Sequence, residues 1–299
     1  MNHLLSIEEL NGATIEALLT DALRLKAARG HHETPLTGQT WAMLFTKSST
    51  RTRVSFEVGI HELGGNPMFL SKNDIQLGRG EPIQDTARVL GRMVHGAIIR
   101  TFDQADVDDF ARLSGIPTVN ALTDQEHPCQ ILADLMTVKE LLGGWHGKKI
   151  AFIGDGFSNM TVSWMWAAKH LGFDLHVACP PTYQPSKNFL EKLDAPNVVI
   201  THDAVSAASD AAVINTDVWL SMGQEDQKEK ELAFGPFQVN AALLEHAAVD
   251  HIVLHCLPAY REKEITAEVL EKHAAAIFQQ AENRLHAQKA ILVAIANKA

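Results

Sequence analysis

Short apolar runs recur along this chain, and most are followed by a polar turn and then by apolar residues at helical spacing. Trp41–Phe45, Met68–Leu70, Gly96–Arg100 and Thr118–Leu122 form one series; Lys149–Ile153, Leu175–Cys179, Val198–Ile200, Ala212–Asn215 and Ile252–His255 form a second. Such alternation points to parallel strands joined by crossover helices, with ligands bound at the carboxyl ends of the strands. Helices are expected at Ile7–Leu10 (capped by Ser6), Ala13–Ala28, Pro82–Val94, Asp106–Leu113, Ile131–Leu142, Met160–His170 and Glu282–Ala296. Gly143-Gly144 stops the fifth of these between the two series. The expectation is an α/β chain of two domains, residues 1–144 and 145–281, each a parallel sheet flanked by helices. A final helix, 282–299, crosses back to the first domain.

One strand end is chemically unusual. The Trp41–Phe45 run ends in Thr46-Lys47, and Ser48-Ser49-Thr50-Arg51-Thr52-Arg53 then leads into a helical pattern of Val54, Phe56, Val58, Ile60 and Leu63. The first N–H groups of a helix lack intrahelical partners and carry partial positive charge, so a hydroxyl-rich turn there makes an anion site. Arginine adds a planar fork that matches phosphate. Residues two apart on a helix face apart, which assigns Arg51 to the anion and Arg53 to a structural ion pair. The plainer reading is an N-capped surface helix with solvated arginines.

Bulk properties narrow the class. With 299 residues, 46% hydrophobic and 21% charged, the chain has the composition of a globular protein with material for two cores. No apolar run approaches the roughly 20 residues that span a bilayer. The start, Met1–Leu10, is acidic and lacks a basic n-region, which sets the expectation of a cytoplasmic protein. A net charge of −10 argues against nucleic-acid binding. Cys129, Cys179 and Cys256 form neither a disulfide framework nor a metal-binding spacing.

The second series offers several sites with two readings each. Gly154-x-Gly156 follows a strand, but Asn159 occupies the third glycine position and no acid for a ribose follows, so a nucleotide cofactor is not expected. Asn159 either caps a helix or bonds a small ligand. Asp217, followed by Ser221-Met222-Gly223, either forms an Asx-type turn or clamps the two charges of an α-amino acid. Cys256 beside His255 suggests a thiol nucleophile, yet strand neighbours face apart, and a small buried hydrophobe is the alternative. His127 ahead of Pro128 is either a helix cap or a ligand group. Trp164, Trp166 and Trp219 read as core.

Taken together and in order, these segments resemble a known family. Ser49-Thr50-Arg51-Thr52-Arg53 and His127-Pro128-Cys129-Gln130 are similar to signatures of the aspartate/ornithine carbamoyltransferase superfamily. Asp217-x-Trp219-x-Ser221-Met222-Gly223 and His255-Cys256-Leu257-Pro258 resemble its ornithine branch. Gln76-Leu77-Gly78, Asp85–Arg92 and Ala281–His286 extend the resemblance over nearly the whole chain. Ser158 is a departure, because family members commonly carry paired asparagines at 158 and 159.

The resemblance implies that carbamoyl phosphate is held by Ser49, Thr50, Arg51 and Thr52, with Arg100, His127, Gln130 and Arg284 around its oxygens. It also implies that Gln76 reaches the site of an adjacent subunit. L-ornithine would be bound by Asn159, Asp217, Ser221 and Met222, with Cys256 and Leu257 beside its side-chain amine. The implied assembly is a homotrimer that needs no cofactor and no metal. The implied reaction is carbamoyl transfer to the δ-amine of ornithine, giving citrulline and phosphate in arginine biosynthesis. Arg51, Arg100 and His127 would supply positive donors to the oxyanion, and Cys256 would tune or deprotonate the amine. Two alternatives stand beside it: a carbamoyltransferase for N-acylated ornithine, putrescine or aspartate, and a catalytically silent paralogue.

Overall fold

Both series of apolar runs form parallel sheets, as hydrophobic strands separated by helices must if each sheet is to be covered on both faces. The computed structural model describes residues 1–71, 80–220 and 228–297. The chain divides into two units: Met1–Met136 with Glu282–Ala299, and Thr137–Ala281.

In the first unit, α1 (Gly12–Ala27) precedes β1 (Thr40–Phe45), α2 (Thr50–Glu62) and β2 (Asn66–Ser71). Next come α3 (Ile83–Leu90), β3 (Gly96–Arg100), α4 (Gln104–Ser114), β4 (Thr118–Leu122) and α5 (Pro128–Leu142). The strands lie in the order β2-β1-β3-β4, all parallel. Ala42, Leu44, Ala97 and Ile99 from the sheet pack with Ala87 of α3 and Val107 and Phe110 of α4 in one buried cluster.

The expected helix at Ile7–Leu10 is instead a single turn, closed by Leu10 N–H donating to Ile7 O at 3.0 Å. The buried Glu126 carboxylate takes the Ile7 N–H at 2.8 Å, and Asn11 then caps α1 through the Thr14 N–H at 2.8 Å. Tertiary and capping acceptors thus claim the donors that a first helix would use.

The second unit contains β5 (Lys149–Ile153), α6 (Asn159–Leu171), β6 (Asp174–Ala178), α7 (Lys187–Leu193), β7 (Val198–Thr201) and α8 (Ala204–Ala208). It continues with β8 (Ala211–Thr216), α9 (Lys228–Phe234), α10 (Ala241–Leu244), β9 (Ile252–His255) and α11 (Ala267–Lys272). Strand order is β7-β6-β5-β8-β9, again all parallel. Ile153, Ile214 and Val253 of the sheet share a core with Phe237, Val239, Val269 and Ile277.

The last helix, α12, runs Ala274–Ala296, starting well before the expected Glu282 because Ala274-Ala275-Ala276 is a strong helix former. The chain passes from the first unit to the second inside α5 and returns inside α12. No described helix is long and apolar enough to cross a membrane.

Strand order decides where ligands can sit. In the first sheet the winding direction reverses between β1 and β3, and Phe45 pairs with Arg100 at their carboxyl ends. In the second it reverses between β5 and β8, where Ile153 pairs with Thr216 and Thr216 with His255. Crevices at such switch points are where open α/β sheets bind ligands.

Candidate active site

At the first switch point the hydroxyl-rich turn caps α2. Ser49 is the N-cap, its Oγ accepting the Thr52 N–H at 3.2 Å and donating to Thr52 Oγ1 at 2.9 Å. Thr52 is the centre of the cluster. Its Oγ1 also accepts from Arg284 Nη2 at 3.1 Å and lies 3.5 Å from Arg100 Nη1. Arg100 ends β3 and is 8% exposed, while Arg284 on α12 is 4% exposed. Two buried guanidiniums therefore converge on one hydroxyl at a helix N-terminus, which is the donor set that a phosphate dianion requires.

Gln130 lies in this unit with its Oε1 accepting from Arg284 Nη1 at 2.6 Å and its Nε2 donating to Asp134 Oδ1 at 2.8 Å, an arrangement that aims the arginine. His127 is buried, and burial, then Arg284, then Arg100 hold its pKa well below the usual histidine value. At neutral pH it is an uncharged imidazole. Two arginines and a dry environment thus disfavour the imidazolium, leaving His127 to act through a neutral hydrogen bond. Burial pushes the neighbouring Cys129 thiol up to about 12, with Arg284 opposing, so it behaves as a core group.

Arg51 is half-buried and Thr50 exposed on the first turn of α2, whereas Arg53 pairs with Glu57 at 2.9 Å and lies 3.8 Å over the Phe69 ring. Arg53 is thus the structural ion-pair partner that its place on the helix predicts. Sequence reading missed Lys47, which pairs with Asp124 and stands 4.3 Å over Phe102 beside the same loop. Only the tertiary fold brings Asp124 there. Gln76 lies outside the described residues.

At the second switch point Asp217 follows β8 and Cys256 follows β9. The Cys256 thiol donates to Asp217 Oδ1 at 2.9 Å, and the Val218 N–H donates to the same oxygen at 2.7 Å. Burial raises the Asp217 pKa, against lowering contributions from the hydrogen bonds of the Cys256 thiol and the Val218 N–H. The resemblance set Asp217 and Cys256 at opposite ends of an amino acid; in the structure the two groups touch.

The turn that presents Cys256 is held from behind. Leu257 adopts φ +53°, a left-handed conformation costing a branched residue on the order of 1–2 kcal/mol. Its N–H donates to His255 Nδ1 at 2.9 Å. That fixes the proton on Nε2, which donates to Glu264 Oε1 at 3.0 Å, both side chains being at most 1% exposed. Gln280 Oε1 accepts the His255 N–H at 2.8 Å. The ligand-type atoms of Asp217, His255 and Cys256 lie within 4.8 Å of one another, a spacing that could hold a metal ion. Both ring nitrogens of His255 are already committed, so the arrangement is better described as a supported acid–thiol pair.

Asn159 opens α6, and Ser158 caps that helix through the Thr161 N–H at 3.3 Å, which gives the departure at 158 a structural role. The Gly-x-Gly turn is also explained by packing. Gly154 has φ +148°, and a Cβ on Gly156 would lie 2.5 Å from Cys179 Sγ. Ser221 and Met222 lie outside the described residues. Trp164, Trp166 and Trp219 are buried, as core residues should be.

This fold and these sites define an α/β protein of two parallel-sheet units, one with a phosphate-complementary cluster and the other with an acid–thiol pair. Comparison with known proteins makes the class specific. The sequence profile of the aspartate/ornithine carbamoyltransferase carbamoyl-P binding domain matches residues 2–140, and that of the Asp/Orn binding domain matches residues 146–295. The ornithine carbamoyltransferase of Akkermansia muciniphila is 64% identical, with 99% of each chain covered. That of Methanosphaera stadtmanae is 50% identical, with 98% of each covered. Among solved structures, the anabolic ornithine carbamoyltransferase of Campylobacter jejuni superposes with a TM-score of 0.94 at 41% identity, over 100% of both chains. The Pyrococcus furiosus ornithine carbamoyltransferase gives 0.93 at 42%, over 100% of this chain and 98% of that one. The chain belongs to the aspartate/ornithine carbamoyltransferase family.

Proposed function

We propose that the protein transfers the carbamoyl group of carbamoyl phosphate to the δ-amine of L-ornithine, giving citrulline and phosphate in arginine biosynthesis. The observation that carries this reading is the convergence of Arg100 and Arg284 on Thr52, beside an uncharged His127. Ser49, Thr50, Arg51 and Thr52 hold the phosphate at the α2 N-terminus, and Gln130 aims Arg284. Arg51 and Arg100 stabilise the oxyanion that forms when the amine attacks. His127, being neutral, hydrogen-bonds the carbamoyl oxygen without placing a third charge beside two arginines. As the new N–C bond forms, the C–O bond to phosphate breaks, and the departing phosphate takes the proton that the attacking amine sheds.

Asp217 and Asn159 take the α-groups of ornithine together with Ser221 and Met222, and Cys256 and Leu257 lie along its side chain. The Cys256 thiol donates to Asp217, and its sulfur is assigned to accept from the δ-amine. The amine must be neutral to attack, and desolvation beside Cys256 lowers its pKa from near 10.4. Asp217 favours a free α-ammonium, so N-acylated ornithine, putrescine and aspartate each lose a contact or gain repulsion there. We assign the active form to a cytoplasmic homotrimer, as the family resemblance implies.

The test offers the purified protein carbamoyl phosphate with ornithine, N-acetylornithine, putrescine, lysine or aspartate, and measures ureido product. Ornithine should be preferred, with lysine only about 10- to 200-fold poorer because it differs by one methylene. A stronger response to any other acceptor contradicts the reading, and light scattering of the same sample checks the trimer.

A further inference from the structure

Arg284 reaches the phosphate site from α12, so something must fix how far along α2 that helix sits. The two helices run in the same direction in contact. At the front, Arg284 meets Thr52 at 3.1 Å. In the middle, Gln288, with its amide turned to satisfy its neighbours, donates to Ser55 Oγ at 2.6 Å and accepts from Arg284 Nη2 at 3.1 Å. Behind that, Gly59 has no side chain where a Cβ would lie 3.3 Å from Lys289 Cγ and 3.5 Å from Leu285 Cδ1. At the rear, Lys289 Nζ donates to Glu62 Oε2 at 2.6 Å.

The rear contact is chemically unusual. Lys289 is fully buried, and burial lowers its pKa even though Glu62 supports its charge. A buried lysine needs all its donors satisfied. His32 Nε2, 3.0 Å away, must accept from it, since an ammonium has no lone pair; the other ring nitrogen, Nδ1, then donates to Glu33 O at 3.1 Å. Arg29 Nε holds the second oxygen of Glu62 at 2.8 Å. Three side chains from two segments, Glu62, His32 and Arg29, thus fix one position for the ammonium. Ten residues of α2 separate Thr52 from Glu62, about 15 Å of helix, and five of α12 separate Arg284 from Lys289, about 7.5 Å. The two long cations take up the difference by splaying toward opposite ends of the contact, which pins the register from both ends.

We propose that Lys289, held by Glu62 and His32, is a positioning residue that sets the axial register of α12 on α2 and so places the Arg284 guanidinium for the donor's phosphate. The inference rests on the reading of the first unit as the carbamoyl phosphate site. A buried pair kept only for stability would act on the melting temperature alone. A register pin acts on donor affinity, and only through Arg284.

The experiment is calorimetric titration of carbamoyl phosphate, without acceptor, into wild type, Lys289→Met, Arg284→Met and the double variant, with melting temperatures recorded in parallel. Lys289→Met should weaken binding by about 10- to 100-fold, the worth of one charge-assisted hydrogen bond. In the Arg284→Met background the same change should have no further effect, and the KM for ornithine should stay within about twofold in Lys289→Met. Gly59→Ala keeps every charge but sets a methyl 3.3 Å from Lys289 Cγ, so the lysine stem must shift by a few tenths of an ångström, and a smaller donor-specific loss should appear even if Lys289→Met fails to fold. Unchanged affinity in Lys289→Met or Gly59→Ala, or an equal loss in the Arg284→Met background, overturns the proposal. Absence of binding by wild type removes the donor-site reading itself, and the proposal falls with it.

Discussion

Replacing Asp217 by asparagine separates what this residue does for the substrate from what it does to the fold. Its Oδ1 accepts the Val218 N–H and the Cys256 thiol, two bonds an asparagine oxygen can keep. What changes is the charge opposite the α-ammonium. A hydrogen bond to a charged group contributes about 1.5–3 kcal/mol, or about 10- to 150-fold in kcat/KM for ornithine at 1.4 kcal/mol per decade. The desolvated surroundings push the loss toward the upper end, because the ammonium would lose its water against a neutral amide.

Stability responds in the opposite sense. A carboxyl whose folded pKa is raised binds its proton more tightly in the native state, so at neutral pH the ionised form opposes folding. The substituted amide carries no such charge, and the melting temperature should hold or rise while ornithine turnover falls. The assay pairs steady-state kinetics, varying each substrate, with calorimetric melting. A kcat/KM for ornithine within about threefold of wild type, a comparable rise in the KM for carbamoyl phosphate, or a clear drop in melting temperature refutes this reasoning.

Further outcomes follow from the same geometry. Arg51→Ala should weaken carbamoyl phosphate binding in calorimetric titration by about 2–4 kcal/mol. Arg53→Ala, whose exposed side chain only pairs with Glu57 and covers Phe69, should leave affinity intact and cost at most about 1 kcal/mol in denaturant melts. His127, His273 and His286 all have pKa values below the free histidine value, the latter two at about 4, chiefly through burial. The folded state therefore binds fewer protons, and stability is lost as pH falls below about 6.5, by up to about 1.4 kcal/mol per pH unit for each such group. Melting curves from pH 7.5 to 5 check this, and His127→Gln should flatten the slope. Burial pushes Cys129 to about 12 and Cys179 to about 11, whereas Cys256 is partly exposed, so a thiol reagent at pH 8 should label Cys256 alone. Peptide mapping settles which cysteine reacts, and labelling should abolish ornithine turnover.

The strands and the anion turn were legible because their signals are local. Apolar runs ending at Phe45, Arg100 and His255 reappear as β1, β3 and β9, and Ser49 caps α2 as hydroxyl chemistry predicts. What was not legible depends on distant partners. The Ile7–Leu10 segment reads as a helix until Glu126, more than a hundred residues away, claims its N–H groups. His127 carries no local sign of the two arginines and the burial that hold its pKa down. The short helices α7 to α11 carry too few residues for periodicity to show. Lys289 looks like a surface lysine in a helix, and only the meeting of α2 with α12 reveals it as buried.

The most direct measurement follows the carbon that moves. With carbamoyl phosphate labelled with carbon-13 and ornithine labelled with nitrogen-15 at the δ position, carbon NMR reports which nitrogen receives the carbamoyl group. Transfer to the δ-amine predicts a ureido carbon split by that nitrogen, appearing in step with free phosphate and more slowly in Asp217→Asn and Arg51→Ala. An unsplit ureido carbon, transfer to the α-nitrogen, or phosphate release without any ureido product contradicts it.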